Sequence, residues 1–257
     1  MSLRVTWLGH STVVVDIDGA RLVADPLLDR HAGILRRRFD APDTFAWADA
    51  DAVLLSHLHH DHAHLSSLRQ LAGIPVLTSP SSAQWLATKG IDDGAGLEDG
   101  EWVTVGARDQ ARVRLVPAVH VHRPMPHRPN DAHGHLVQSS SATVWVAGDT
   151  ELYPDMATLA EMAAAPIDLA VVPVSGWAPR LSGGHMDHEE AARACAVVGA
   201  RFAIPVHWGT LHVPAGRHLP RGWMDRPGLA FARDVHRLAP DCEPVVLHPG
   251  GSWTLRD

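Results

Sequence analysis

The stretch Ser56-His57-Leu58-His59-His60-Asp61-His62 constrains the chain more than any other, because it crowds metal-binding side chains into a few consecutive positions. In a protein with 19 histidines a chance polar loop is the plain alternative. The flanks argue against it. Ala52-Val53-Leu54-Leu55 is a short apolar run that reads as a buried strand, and Leu65, Leu68 and Leu71 then recur at helical spacing. The cluster therefore sits on a strand-to-helix turn. On such a backbone alternate residues point the same way, so His57 and His59 converge on one ion. Asp61 and His62 face a second ion, and Asp61 is also placed to cap the helix that follows.

His57-x-His59-x-Asp61-His62 behind an apolar strand resembles the signature of the metallo-β-lactamase superfamily of two-metal hydrolases. It differs from the His-Glu-x-x-His motif of single-zinc proteases, whose two histidines share a helical face. Trp7-Leu8-Gly9-His10-Ser11 and Ala24-Asp25-Pro26 resemble the opening of one branch, that of ascorbate-6-phosphate lactonase and N-acyl-phosphatidylethanolamine phospholipase D. Three later matches follow in family order. Pro117-Ala118-Val119-His120 is similar to the site of the third histidine of the first metal; the alternative from the residues alone is His122, with His120 packed beneath it. Ala147-Gly148-Asp149-Thr150 ends a strand where the family has a metal-bridging carboxylate, and Gly148 permits close backbone approach. The alternative is that Asp149 caps a helix running from Thr150 to Ala164. Pro205-Val206-His207 resembles the final ligand. The resemblance thus implies His57, His59 and His120 on one metal, Asp61, His62 and His207 on the other, and Asp149 between them.

His10 reads as a hydrogen-bonded histidine beside the core, since the other seven positions complete two metal shells. His185-Met186 precedes a helix, as in the resembling branch, so His185 is a candidate for a catalytic or substrate-facing role beside Asp61 and Asp149. Neutral imidazoles and carboxylates suit zinc and also manganese or iron; two divalent ions with zinc first are expected. Two such ions about 3.5–4 Å apart hold a shared water whose pKa falls towards about 7, which supplies hydroxide without a serine or cysteine nucleophile. Because no cysteine stands among the matched ligands, antibiotic hydrolysis is disfavoured. A non-hydrolytic redox or metal-holding member of the fold is a further alternative, disfavoured because His59 and Asp61 keep the hydrolytic pattern.

The 257 residues suffice for one sizeable core, and no linker or repeat divides positions 1–257. Strand-rich halves interleaved with helices support a mixed domain; the resemblance implies an α+β fold, a four-layer αββα sandwich of two mixed β-sheets with helices on both outer faces. Leu27 to Trp47 reads as a long loop, with Arg36-Arg37-Arg38 a solvated face. Helices are expected over Ser81–Lys89 with a cap at Ser81 or Ser82, Leu152–Ala164, Asp187–Val198 and Gly222–Leu238, and a last strand over Pro244–Leu247. No run of about 18 apolar residues marks a transmembrane segment, Met1 to Thr6 has no signal-peptide pattern, and Cys195 and Cys242 are too few for a disulfide framework. A cytoplasmic location is expected.

The net charge of −7 argues against nucleic acid held on a broad basic face. The loops after the ligands are locally basic, however, with Arg123, Arg128, Arg180, Arg217 and Arg221. If they rim one mouth together with Arg36–Arg38, they favour a small anionic substrate, with Arg128, Arg180 and His185 touching it. A phosphodiester stands ahead of a lactone, and both ahead of a neutral β-lactam. The oligomeric state is not readable from the sequence.

Overall fold

The computed structural model describes residues 3–108, 110–120, 127–218 and 220–255. His122 and Arg123 lie outside them. The first half supplies β1 (Leu3–Gly9), β2 (Thr12–Ile17), β3 (Ala20–Ala24), β4 (His31–Ala32), β5 (Leu35–Arg37), β6 (Ala52–Leu54), α1 (Leu65–Gln70), β7 (Val76–Thr78), α2 (Pro80–Ala87) and β8 (Gly94–Gly96). The second supplies β9 (Val103–Val105), β10 (Ala111–Pro117), β11 (His133–Ser139), β12 (Thr143–Val146), α3 (Leu159–Ala163), β13 (Leu169–Pro173), α4 (His188–Val198), β14 (Phe202–Val206), β15 (Leu211–His212), α5 (Arg226–Leu238), β16 (Glu243–Pro244) and β17 (Ser252–Thr254).

Among the described residues the strands form two seven-stranded sheets, β17-β1-β2-β3-β6-β7-β8 and β16-β14-β13-β12-β11-β10-β9, with a three-stranded β15-β5-β4. Both large sheets are mixed: β3, β6, β7 and β8 run parallel, as do β12, β13, β14 and β16, while the remaining pairs, including β1 with the distant β17, are antiparallel.

Strand alternation builds the layers. In β2, Val13, Val15 and Ile17 enter the main core, whereas Val14 joins a second core with Val53, Leu55, Leu68 of α1 and Leu86 of α2. The main core takes the facing side of the second sheet, and Ala191 and Cys195 of α4 and Phe231 and Val235 of α5 cover that sheet's far side. The chain is therefore an α+β four-layer sandwich with helices on both outer faces. All five residues of β13 are buried, as a strand covered on both faces requires. No helix among the described residues is long and apolar enough to cross a membrane.

Local differences have local causes. Ser79 caps α2 by accepting from Ser82 N, two or three residues before the expected cap, because Pro80 takes the first helical position. Asp187 caps α4 in a reciprocal capping box with Glu190, as the sequence predicts. The expected 152–164 helix splits into a 3-10 turn at Pro154–Thr158 and the short α3, the strand expected over 244–247 shrinks to β16 while the last strand is the unexpected β17, and α5 starts only at Arg226. The arginine run is not a solvated face. Arg37 lies in β5 with its side chain buried, donating from Nη1 to Leu8 O at 2.8 Å and from Nη2 to Leu27 O at 2.7 Å.

Candidate metal centre

Every donor comes from the end of a strand or the loop that follows it. Residues 56–62 leave β6, His120 follows β10, Asp149 follows β12 and His207 follows β14. The two sheets thus deliver their ends to one edge of the sandwich. His57, His59, His120 and Asp149 form one group and His10, Asp61, His62 and His207 another, the candidate ligand atoms within each lying within 4.8 Å of one another. Asp149 joins them: its Oδ2 is 3.9 Å from His57 Nε2, 3.2 Å from His62 Nε2 and 3.3 Å from His207 Nε2. No helix begins at Thr150, so the capping alternative for Asp149 fails.

The outward nitrogens are pinned. His62 Nδ1 donates to Asp25 Oδ2 at 2.8 Å and His207 Nδ1 to Ser175 O at 2.7 Å, while His120 Nδ1 donates to Gly184 O. Each bond fixes the tautomer and turns the Nε2 lone pair inward. His57 Nε2 and His120 Nε2 then stand 2.8 and 2.9 Å from His59 Nδ1. Asp149 Oδ1 is buried without a hydrogen-bond partner, and His62 Nε2 and His207 Nε2 face Asp149 Oδ2 at 3.2 and 3.3 Å without making a well-aligned hydrogen bond. Such orphaned polar atoms are costly unless something satisfies them. Several imidazole nitrogens, which give up their inner protons to a metal, and carboxylate oxygens aimed at the same points are satisfied together by divalent cations, so the donor set fits the two ions that the sequence implies.

The electrostatics agree with that fit. Burial, with the nearby His62 charge, holds His57 well below the usual imidazole range, and burial lowers His59 to about 4, so both present lone pairs. For His207 burial opposes charge, but Asp149 and then Asp61 outweigh it and raise it to about 9. His62 is likewise raised by Asp149 and Asp25 against its burial. Burial would push the two carboxyls up; the His10 hydrogen bond to Asp61 and the charges of His207 and His62 on Asp149 hold both well below the carboxylate range. Protons on His62 and His207 thus do, in part, what metal cations do better.

His10 is buried and hydrogen-bonded, with Nε2 2.8 Å from Asp61 Oδ2, and it also falls within the second candidate ligand group. Asp61 caps nothing; α1 starts behind His64, and the carboxylate is turned to His10 instead. Asp25 is the participant that sequence reasoning missed. Besides His62 it accepts from Ser56 N at 2.9 Å and Ser56 Oγ at 2.7 Å, which ties the start of the donor loop to the end of β3. Its signal was the Ala24-Asp25-Pro26 match, which carried no role.

A cavity of about 410 Å3 opens over the donors, with His59, His60, Asp61, Asp149 and His185 as its floor and Ile34, Leu35 and Trp177 among its walls. His185 Nε2 is 3.2 Å from Asp149 Oδ2, so it lies at the cluster. The arginines do not gather there. Among the described residues no arginine lines this cavity; Arg180 is exposed and is not part of its lining. Arg128 is 4% exposed, its guanidinium over the Trp85 ring at 4.5 Å and donating to Leu58 O, so its charge is spent beneath the donor loop. The expected basic rim is replaced by an apolar wall from the β4–β5 hairpin, which places Ile34 and Leu35 where the sequence suggested only loop.

Comparison with known proteins agrees with this geometry. The UPF0173 metal-dependent hydrolase of Methanopyrus kandleri is 29% identical over 98% of this chain and 99% of its own. The N-acyl-phosphatidylethanolamine-hydrolyzing phospholipase D 1 of Caenorhabditis elegans is 28% identical over 99% of this chain and 76% of its own. The structure of Igni18, a metallo hydrolase from Ignicoccus hospitalis, superposes over 100% of both chains with a TM-score of 0.74 at 20% identity, which speaks for the fold. The profile of the beta-lactamase superfamily domain matches residues 20–208, a span running from β3 to just past His207, and on that match the chain belongs to the beta-lactamase superfamily.

Proposed function

We propose that this metal-dependent hydrolase is a single catalytic domain, acting in the cytoplasm, that holds two divalent ions, zinc first, and cleaves a small phosphodiester with an apolar substituent. The observation that carries the reading is the set of buried, tautomer-fixed donors whose inner atoms, His62 Nε2, His207 Nε2 and Asp149 Oδ1, make no well-aligned hydrogen bond, at and beneath the floor of an open cavity that Asp149 lines. His57, His59 and His120 would hold one ion, Asp61, His62 and His207 the other, with Asp149 shared. Bound there, the ions supply an activated water and take up the negative charge of the attacked group.

The chain's own residues do the remainder. Asp25, Ser175 and Gly184 keep the imidazoles in register, which removes reorganisation from the reaction. His185, next to Asp149 and lining the cavity, is positioned to meet a substrate oxygen or to pass a proton to the leaving group. Ile34, Leu35 and Trp177 bind the part of the substrate that does not react. The phospholipase D relative, a phosphodiester-cleaving enzyme by name, supports this substrate class. A lactone is the second reading, favoured by the absence of a lysine or arginine among the described residues that line the cavity.

Turnover of bis-p-nitrophenyl phosphate, a phosphorylated lactone, a homoserine lactone and a β-lactam, after zinc or manganese is restored, tests both. Preference for the phosphodiester, lost in His185→Ala, is expected. Faster turnover of a lactone would replace the first reading by the second, and a coloured, inactive protein would point to an iron-holding role.

A further inference from the structure

The arginines expected around the metal cavity collect elsewhere. Arg38, Arg217, His218 and Arg221 line a surface cavity of about 360 Å3 that shares no residue with the one over the donors. Asp225 also lines it and is engaged by Arg38. Among the described residues neither Arg217 nor Arg221 forms an ion pair, although both are exposed. Arg226, at the start of α5, lies against Gly222 of the same cavity and adds to the positive side. On a chain of net charge −7 this is a local field opposite in sign to the whole.

A second cavity, of about 300 Å3, meets the first at Arg38, Met224 and Asp225, which line both. Its character is different. Trp7, Trp208, Phe39 and Leu229 line it, with the two indoles stacked at 5.3 Å between centroids. Leu229 is 68% exposed although it belongs to α5, and Phe39 is 44% exposed. Single exposed apolar side chains need no explanation, but these two flank one groove. The floor is rigid, because Trp208 Nε1 donates to Pro205 O at 3.0 Å and Gly228 lets α5 pack straight onto the indole, where a Cβ would stand 2.4 Å from the ring.

We infer that these adjoining cavities bind an anionic amphiphile, its phosphate or carboxylate head among Arg217, Arg221 and His218 and its alkyl chain along Phe39, Leu229 and the edge of Trp208. A free inorganic anion would use only the basic half and a neutral lipid only the apolar half; their common edge, where Arg38 and Asp225 line both, suits a molecule that carries both. Arginine forks match phosphate and carboxylate oxygens two at a time. Each cavity lies within the size range of ligand pockets, about 300–1,000 Å3, and their concavity suits one enclosed molecule over a flat bilayer. The tail would lie on Trp208, the residue after the donor His207, so occupancy is legible in indole fluorescence.

The test titrates zinc-loaded protein with monomeric decyl phosphate, decanoate, inorganic phosphate, decanol and phosphatidylglycerol vesicles, followed by calorimetry and fluorescence. Saturable binding of decyl phosphate, decanoate or both is expected, at least about tenfold tighter than phosphate or decanol. The relative strength of the two anions identifies the preferred head. Arg217→Ala with Arg221→Ala should weaken binding by about tenfold or more, and so should Leu229→Asp, with metal content and melting temperature kept. Trp177→Ala, at the metal cavity, should leave it unchanged; loss there instead would mean that the amphiphile occupies the metal site and would overturn the inference. Unaltered affinity in both cleft variants, equal binding of inorganic phosphate, or association with vesicles alone would overturn it as well, the last in favour of a membrane-docking face.

Discussion

Asp25 Oδ2 accepts a hydrogen bond from His62 Nδ1 at 2.8 Å while the opposite ring nitrogen of His62 faces Asp149 at 3.2 Å. One imidazole is thus clamped between a carboxylate that belongs to the scaffold and one that belongs to the metal cluster. The scaffold carboxylate raises the basicity of His62 and fixes its ring plane. Asp25→Asn keeps the size of the side chain but removes the charge, and metal affinity is expected to fall by about 10–100-fold. Competition with a chromogenic chelator measures it. Undiminished affinity would reduce Asp25 to a tie between β3 and the donor loop.

Asp149 faces four histidines at once, His57, His62, His185 and His207, at 3.2 to 3.9 Å. Reconstituted protein is expected to hold about two ions per chain, and Asp149→Ala to lose activity and metal far more than stability, since apolar burial holds the sheets. Elemental analysis paired with melting curves checks this. One ion per chain in the fully reconstituted parent would remove the two-metal reading.

The candidate donors that the structure brings together were legible because each stands in a run with its own signal: an apolar strand, a turn, then a polar residue. His57, His120, Asp149 and His207 all follow strands that periodicity finds. The pairs that orient them are invisible for the opposite reason. Asp25 meets His62, and Arg128 meets Leu58, only because β-sheet pairing and loop packing bring distant segments together. Strands β4 and β5 are two and three residues long, too short to show alternation, and exist by pairing with each other and, for β5, with β15. The apolar wall they build was therefore hidden, and so was the burial of Arg37. The arginine cluster at Arg38, Arg217 and Arg221 was expected as a cluster but assigned to the wrong cavity, since loop composition says what a loop carries and not where it folds.

Proton linkage gives a third expectation, for metal-free protein. Burial lowers His10, His59 and His135 to about 4 in the fold, so below pH 6.5 the unfolded chain binds more protons and stability falls. His207 is raised to about 9, and stability from its protonated form is fully present below 6.5 and lost as pH rises through 9. The melting temperature after chelation should therefore peak near pH 6.5. Zinc removes the alkaline decline, because an ion replaces the proton on His207. A chelated protein whose melting temperature climbs steadily from pH 6.5 to 9 would contradict the raised His207.

Arg128 separates a positioning role from a substrate role. Its guanidinium donates to the Leu58 carbonyl, between the donors His57 and His59, lies over the Trp85 ring at 4.5 Å, and stands 3.3 Å from His60 Nδ1. It has no face on the cavity that opens over the cluster. Arg128→Ala leaves the Leu58 carbonyl, in a fully buried residue, without its donor, which costs about 1–3 kcal/mol, and removes a cation–π contact worth roughly 0.5–2 kcal/mol. The donor loop loosens as a result. Weaker metal retention and a lower melting temperature are expected, with a Michaelis constant for anionic substrates that is unchanged at saturating zinc and insensitive to salt, since no exposed charge on the cavity has been lost. Arg128→Lys restores charge without the planar stack on Trp85 or the fixed fork, and should recover little. A charge contact to substrate would show the reverse: stability and metal kept, the Michaelis constant raised for charged esters only, and partial rescue by lysine.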